Sequence, residues 1–311
     1  MQDAILMRGI HKSFGRTRAV RDFDLAIPTG SLYGFIGPNG AGKTTAIRMI
    51  MSILFPDTGE LRVLGRPSAT DSKDRIGYLP EERGIYRKMR VGAFLRYMAR
   101  LKGLHAGPGL NRRIRDWLER VGLADCEKKR CEELSKGMQQ KVQFLATILH
   151  EPDLLIFDEP FSGLDPVNMR LMRDLFLEQH NQGRTIIFST HIMHQAEQLC
   201  EHIVMINQGV KVLDEPLDGI FARHASKLIL FESVDEVDEA AVVAVSGVRE
   251  ATRMDDLWEV TPEHDPLVTI RRIVDTLGAR RIEIKRPTLE DIFVELVDGG
   301  AELDTRAESE R

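Results

Sequence analysis

The nine residues GPNGAGKTT at 37–45 constrain this chain more than any other stretch. They fit G-x-x-x-x-G-K-[ST], with Gly37, Gly42, Lys43 and Thr44 at the fixed positions. An apolar run, SLYGFI, leads in and another, AIRMIMSIL, leads out, so the loop is expected between a strand and a helix. The glycines let the backbone curl until its N–H groups face one anion, and the helix N-terminus adds its positive end. The candidate nucleotide loop is therefore Gly37, Pro38, Asn39, Gly40, Ala41, Gly42, Lys43, Thr44 and Thr45. Lys43 is expected to neutralise the β- and γ-phosphates, and the Thr44 hydroxyl to hold Mg²⁺.

Such a loop serves kinases, GTPases and many ATPases. The stretch DLLIFDEPFSGLDP at 153–166 narrows the choice. Its four apolar residues LLIF suit a parallel strand covered on both faces, which ends at the crevice where ligands sit. Asp158 and Glu159 stand at that end. Asp158 is read as the Mg²⁺ partner and Glu159 as the general base for the attacking water. A further strand, RTIIFST, ends at His191 and brings an imidazole to the same edge. The neighbouring H-I-M-H pair lacks the cysteine or carboxylate that would complete a zinc set.

Composition excludes other classes. A chain of 311 residues has room for two domains. A net charge of −5 with 29% charged residues carries no general nucleic-acid signature. No stretch approaches the roughly 18 uncharged apolar residues that span a bilayer. MQDAILMRGI lacks the pattern of a secretory signal, and Cys126, Cys131 and Cys200 have no metal-ligand spacing, which suggests a reducing compartment. A membrane function would need a separate membrane protein.

Residues 132–141, EELSKGMQQK, decide which ATPase this is. The ordered set GPNGAGKTT, LSKGMQ, DEP, SGLD and STH resembles the ATP-binding-cassette (ABC) ATPase family over residues 1 to about 215. The resemblance implies an α/β fold. Its core is a mixed sheet with an antiparallel β subdomain and a helical subdomain at about 87–150. It also implies that Ser135, Lys136, Gly137 and Met138 contact the ATP of a second subunit, two cassettes closing head-to-tail over two Mg-ATP. Phe14 matches the aromatic that stacks on adenine, Asp165 the residue that communicates across the dimer, and His191 the γ-phosphate switch. The sequence departs from the pattern at Lys136, usually Gly, at Met138, usually Gln, and at Glu81, usually a Mg²⁺- and water-contacting Gln. A carboxylate at Glu81 can still bind Mg²⁺ but cannot donate a hydrogen bond.

YLPEERGIY, LSKGMQQK and PTLEDIFVELV resemble the ABC-2 type exporter branch, whose cassettes energise separate transmembrane permeases. That likeness implies a homodimer or heterodimer of ATPase subunits at the cytoplasmic face of the membrane, without direct nucleic-acid contact. An importer or a non-transport cassette is the alternative. One nucleotide loop argues against the two-cassette translation type. Short broken helices before Ser135, with HAGPG as a loop, argue against the coiled-coil repair type. Residues 216–297 alternate short strand and helix patterns, which predicts a small α+β domain, and 298–311 are read as a solvated disordered tail.

Overall fold

In this computed structural model, residues 3–82, 84–224 and 226–297 are described. Strands β1 (Asp3–Phe14) and β2 (Thr17–Pro28) pair antiparallel, turning at Gly15, whose φ of 60° suits a residue without a Cβ. The fully buried β3 (Leu32–Ile36) leads through the glycine-rich loop into α1 (Lys43–Ile50). β4 (Thr58–Val63) returns to β1 and completes a three-stranded antiparallel sheet of order β2-β1-β4. β5 (Ile76–Leu79) is followed by the helices α2 (Val91–Leu101) and α3 (Pro108–Arg120). The expected loop HAGPG is shorter than its sequence suggests. Pro108 opens α3, at a first-turn position where its missing N–H has no helical partner to lose.

Ser135 caps α4 (Lys136–Ile148), its hydroxyl accepting the Met138 amide at 3.3 Å. Then follow β6 (Leu154–Asp158), α5 (Pro166–Asn181), β7 (Thr185–Thr190), the short α6 (Met193–Glu197), β8 (His202–Asn207) and β9 (Val210–Pro216). The second sheet has the order β5-β6-β7-β3-β8-β9. Its first five strands run parallel and only the edge strand β9 is antiparallel. Helices cover its faces, which is why β3, β6 and β7 are buried along their whole length rather than at alternate residues. Phe157 of β6 packs on Phe176 of α5 at 4.0 Å between ring centres, and Phe144 of α4 stacks on both.

The described residues divide into two compact units, one holding those up to Leu217 together with 293–297, the other Asp218–Ile292. After α7 (Leu217–Arg223), the second unit runs β10 (Ile229–Ser233), α8 (Glu239–Val243), β11 (Val248–Met254), β12 (Leu257–Pro262), α9 (Pro266–Leu277) and β13 (Ala279–Ile284). Its sheet order β11-β12-β10-β13 is that of a split βαβ fold. Phe231, Trp258, Val260 and Ile273 form its core, so Trp258 is a packing residue. Helix continues over 289–297, and the expected tail 298–311 lies outside the described residues.

Two outcomes follow from the packing. Phe176→Ala should lower unfolding free energy by about 3–5 kcal/mol in urea titration, because its ring touches three aromatic neighbours inside the core. His150, just beyond α4, is buried, with Nε2 placed to donate to the Ile76 carbonyl at 3.2 Å. Burial, helped by the nearby Lys102 charge, pushes its pKa down from 6.5 to about 4. The unfolded chain therefore takes up this proton first, so stability falls as pH drops through the window from 6.5 to about 4. In His150→Gln that part of the slope should vanish when urea midpoints are compared across the window.

Candidate active site

Strand register sets the motifs side by side. Ile36, the last residue of β3, pairs with Thr190 of β7. Asp158, the last of β6, pairs with Ser189 of β7, and Leu79, the last of β5, pairs with Phe157. The chain therefore leaves the sheet at one edge in neighbouring places: loop 37–45 after β3, Glu159 after β6, His191 after β7, and Glu81 past β5. In open parallel sheets that carboxyl edge is where ligands bind.

Two glycines in the loop are required by space. A Cβ on Gly37 would lie 2.1 Å from the Ile206 carbonyl oxygen of β8, and its φ of 149° is in the range that favours glycine. A Cβ on Gly42, φ 112°, would lie 2.6 Å from the Ala19 oxygen of β2. The loop is thus wedged between two strands. The Lys43 ammonium turns back on it, donating to the Gly37 oxygen at 2.8 Å and the Pro38 oxygen at 3.1 Å. Burial lowers the Lys43 pKa, while Glu159, Asp158 and Glu81 pull it back up.

Above the loop opens a cavity of about 770 Å³, walled by Asn39 to Thr45, by Glu81, Glu159 and Gln208, and by Arg16 to Ala19 and Arg21 of the β1–β2 hairpin. Gly37 and Pro38 hold Lys43 rather than form the wall. Phe14 is off the wall too. It is 48% exposed, has the Lys12 ammonium 5.6 Å from its ring centre, and pairs in register with Thr17, which does line the cavity.

The carboxylates are held from β7. The Ser189 hydroxyl donates to Asp158 Oδ1, and Ser189 Oγ itself accepts the Glu159 amide at 3.3 Å. Glu159 has φ 49°, a left-handed conformation uncommon for a residue with a side chain. His191 Nδ1 lies 2.8 Å from Glu159 Oε1, and the Thr190 hydroxyl 3.4 Å from Oε2. Ser189 and Thr190 were not singled out from the sequence. Their signal is a pair of hydroxyls closing an otherwise apolar strand.

The signature residues lie elsewhere. Ser135 and Lys136 are exposed, and none of Ser135, Lys136, Gly137 or Met138 lines the cavity of its own chain. A Cβ on Gly137 would sit 3.4 Å from Asn168 Nδ2, so the start of α4 abuts the start of α5. There Asp165 accepts the Asn168 amide at 2.9 Å, and that contact keeps its carboxyl below the usual pKa. Farther along α4, the buried Gln140 donates to the Pro160 oxygen at 3.0 Å, tying the helix to the DEP turn.

Comparison with known proteins agrees with this geometry. The ABC transporter family model matches residues 20–162. The uncharacterized ABC transporter ATP-binding protein YhaQ of Bacillus subtilis is 39% identical over 290 residues, covering 93% of this chain and 96% of its own. This chain belongs to the ABC transporter ATP-binding family. As an ABC ATPase it binds and hydrolyses ATP as the ATP-binding subunit of a transporter. The bacitracin transport ATP-binding protein BcrA of Bacillus licheniformis is 31% identical over 320 residues, 96% of this chain and 99% of its own. A solved ATP-binding subunit of an ABC transporter superposes with a TM-score of 0.65 at 29% identity, covering 71% of this chain and 93% of that one.

The wedged loop makes Gly37 sensitive. In this ABC ATPase, Gly37→Ala should weaken ATP binding at least about tenfold in equilibrium titration, since the added methyl displaces the loop from Ile206. Its far-ultraviolet circular dichroism should match wild type.

Proposed function

We propose that this ABC ATPase drives export through a separate membrane permease, working as one of two cassettes that close head-to-tail over two ATP molecules. One observation carries the dimer: the capped N-terminus of α4, with Ser135 exposed, stands away from its own nucleotide cavity. A helix N-terminus is a good anion site, and here the anion comes from the second cassette, identical or related. Ser135 and the Gly137 amide then bind that subunit's γ-phosphate, with Lys136 adding positive charge and Met138 following on the first turn. Asp165, at the adjoining start of α5, carries the closure across the interface. Export is supported by likeness to BcrA, whose name assigns it bacitracin transport. No helix among the described residues is long and apolar enough to cross a membrane, so the pathway belongs to the partner. The working place is the cytoplasmic face of the membrane.

The residues suit Mg²⁺. The Thr44 hydroxyl and the Asp158 and Glu81 carboxylates are hard oxygen donors. Among the described residues no cluster of three or more His, Cys, Asp or Glu forms a metal cage. That fits an ion taking most of its ligands from phosphate and water. Asp158 Oδ1 is occupied by Ser189, which leaves Oδ2 for the ion. Bound Mg²⁺ would neutralise charge on the phosphates.

The chain's own residues do the rest. Loop amides and Lys43 bind the β- and γ-phosphates. Phe14, at the outer end of the β1–β2 hairpin, is assigned to the adenine. Glu159 takes a proton from the attacking water. With Nδ1–H given to Glu159, neutral His191 keeps a lone pair on Nε2; protonated there, it becomes a donor to the γ-phosphate. Positioning and charge neutralisation supply most of the acceleration.

Lys43→Ala should abolish ATP binding, measured by titration. Glu159→Gln should keep binding, lose at least about 100-fold in turnover and accumulate a dimer with ATP on size exclusion. Wild-type turnover in that variant would remove Glu159 as the base. Tagged Glu159→Gln, captured with ATP from its own cells in mild detergent, should bring down a polytopic membrane protein. Recovery of ribosomes or DNA factors alone would overturn the transport role.

A further inference from the structure

The β1–β2 hairpin brings three arginines, Arg16, Arg18 and Arg21, to one side of the nucleotide cavity. Backbone packing fixes where that side is. The Ala19 carbonyl is so close to the loop that a Cβ on Gly42 would lie 2.6 Å from it, and one on Gly209 would lie 2.7 Å away. The Gly209 amide donates to the Ala41 oxygen at 2.8 Å, and the Arg21 amide to the Gly209 oxygen at 2.7 Å. Hairpin, loop and the β8–β9 turn are therefore one clamped assembly at the start of α1.

The cations differ in what already holds them. Lys43 is bonded to two loop carbonyls, and Arg21 gives Nη2 to the Gln208 oxygen at 3.1 Å. Arg16 and Arg18 are exposed, and among the described residues neither guanidinium has a hydrogen-bond or ion-pair partner. The wall carries four cations, Arg16, Arg18, Arg21 and Lys43, against the two carboxylates Glu81 and Glu159, in a chain whose net charge is −5. Positive charge is concentrated here against the sign of the whole molecule. It is also polarised. Both acids follow strands of the parallel sheet, while the arginines belong to the hairpin of the other sheet. Phe14 stands off the wall with Lys12 over its ring, so the wall on the hairpin side presents charge to the phosphates and the ring is left to the base.

We propose that Arg16 and Arg18 are positioning residues for the substrate, binding the α-phosphate of the nucleotide and holding it from the side opposite the hydrolytic acids. This rests on the cavity being the nucleotide site. A guanidinium suits the role because its planar N–H groups match two phosphate oxygens at once. The contact does not depend on the base.

The test is equilibrium titration of the full chain with ATP, ADP and GTP, at low and high salt, for wild type, Arg16→Gln/Arg18→Gln, the matching double lysine variant and Lys43→Ala. Both arginines are exposed, so unchanged thermal unfolding is expected in the double glutamine variant. That variant should bind all three nucleotides about tenfold more weakly at low salt, with the gap narrowing as salt rises. The double lysine variant should recover only part of the loss, because an ammonium restores the charge but not the paired N–H groups. Unchanged affinity would overturn the proposal. A loss confined to ATP would place the arginines at the γ-phosphate, and a loss for ATP but not GTP would place them at the base; either outcome also overturns it. If Lys43→Ala binds ATP like wild type, the cavity itself is not the nucleotide site, a failure distinct from the others.

Discussion

Parallel pairing among β6, β7 and β3 is the constraint on which the rest depends. The site uses residues far apart in sequence, and nothing in their local conformation brings them together. The ladder does so by aligning Ile36 with Thr190 and Asp158 with Ser189. A slip of one residue would turn every side chain on β7 to the opposite face. Ser189 and Thr190 would then leave Asp158 and Glu159, and the imidazole would leave the base. Register is protected because both faces of these strands are buried, so a slip would break packing on two sides.

Much of this was legible in the sequence. The glycine-rich loop, the apolar strands before Asp158 and His191, and the Ser135 cap each have a local cause, so local pattern is enough to place them. β4, β5 and β9 were not read. TGELRV of β4 is mostly exposed, and IGYL of β5 is too short to show a period. β9 is an edge strand with a single buried residue, so alternation is nearly absent. These strands exist because neighbours supply their hydrogen bonds.

Within the site, the unread parts are those that act through space. Gln140 looks like any polar residue in a helix, yet its amide reaches the turn after Glu159. Ala19 carries no chemistry, yet its carbonyl decides that position 42 is glycine. Lys43 was expected to face phosphate. Its ammonium rests on the loop's own carbonyls, a hold that a more negative partner can replace.

The backbone at Glu159 carries a consequence for how this protein can drift. A non-glycine residue in the left-handed region costs on the order of 1 kcal/mol or more. Glycine there would relieve the strain and remove a nearly buried charge. A lineage released from the need to hydrolyse ATP would therefore gain stability by losing this side chain. Stability alone disfavours glutamate at 159, so its presence marks a position where activity and folding pull in opposite directions.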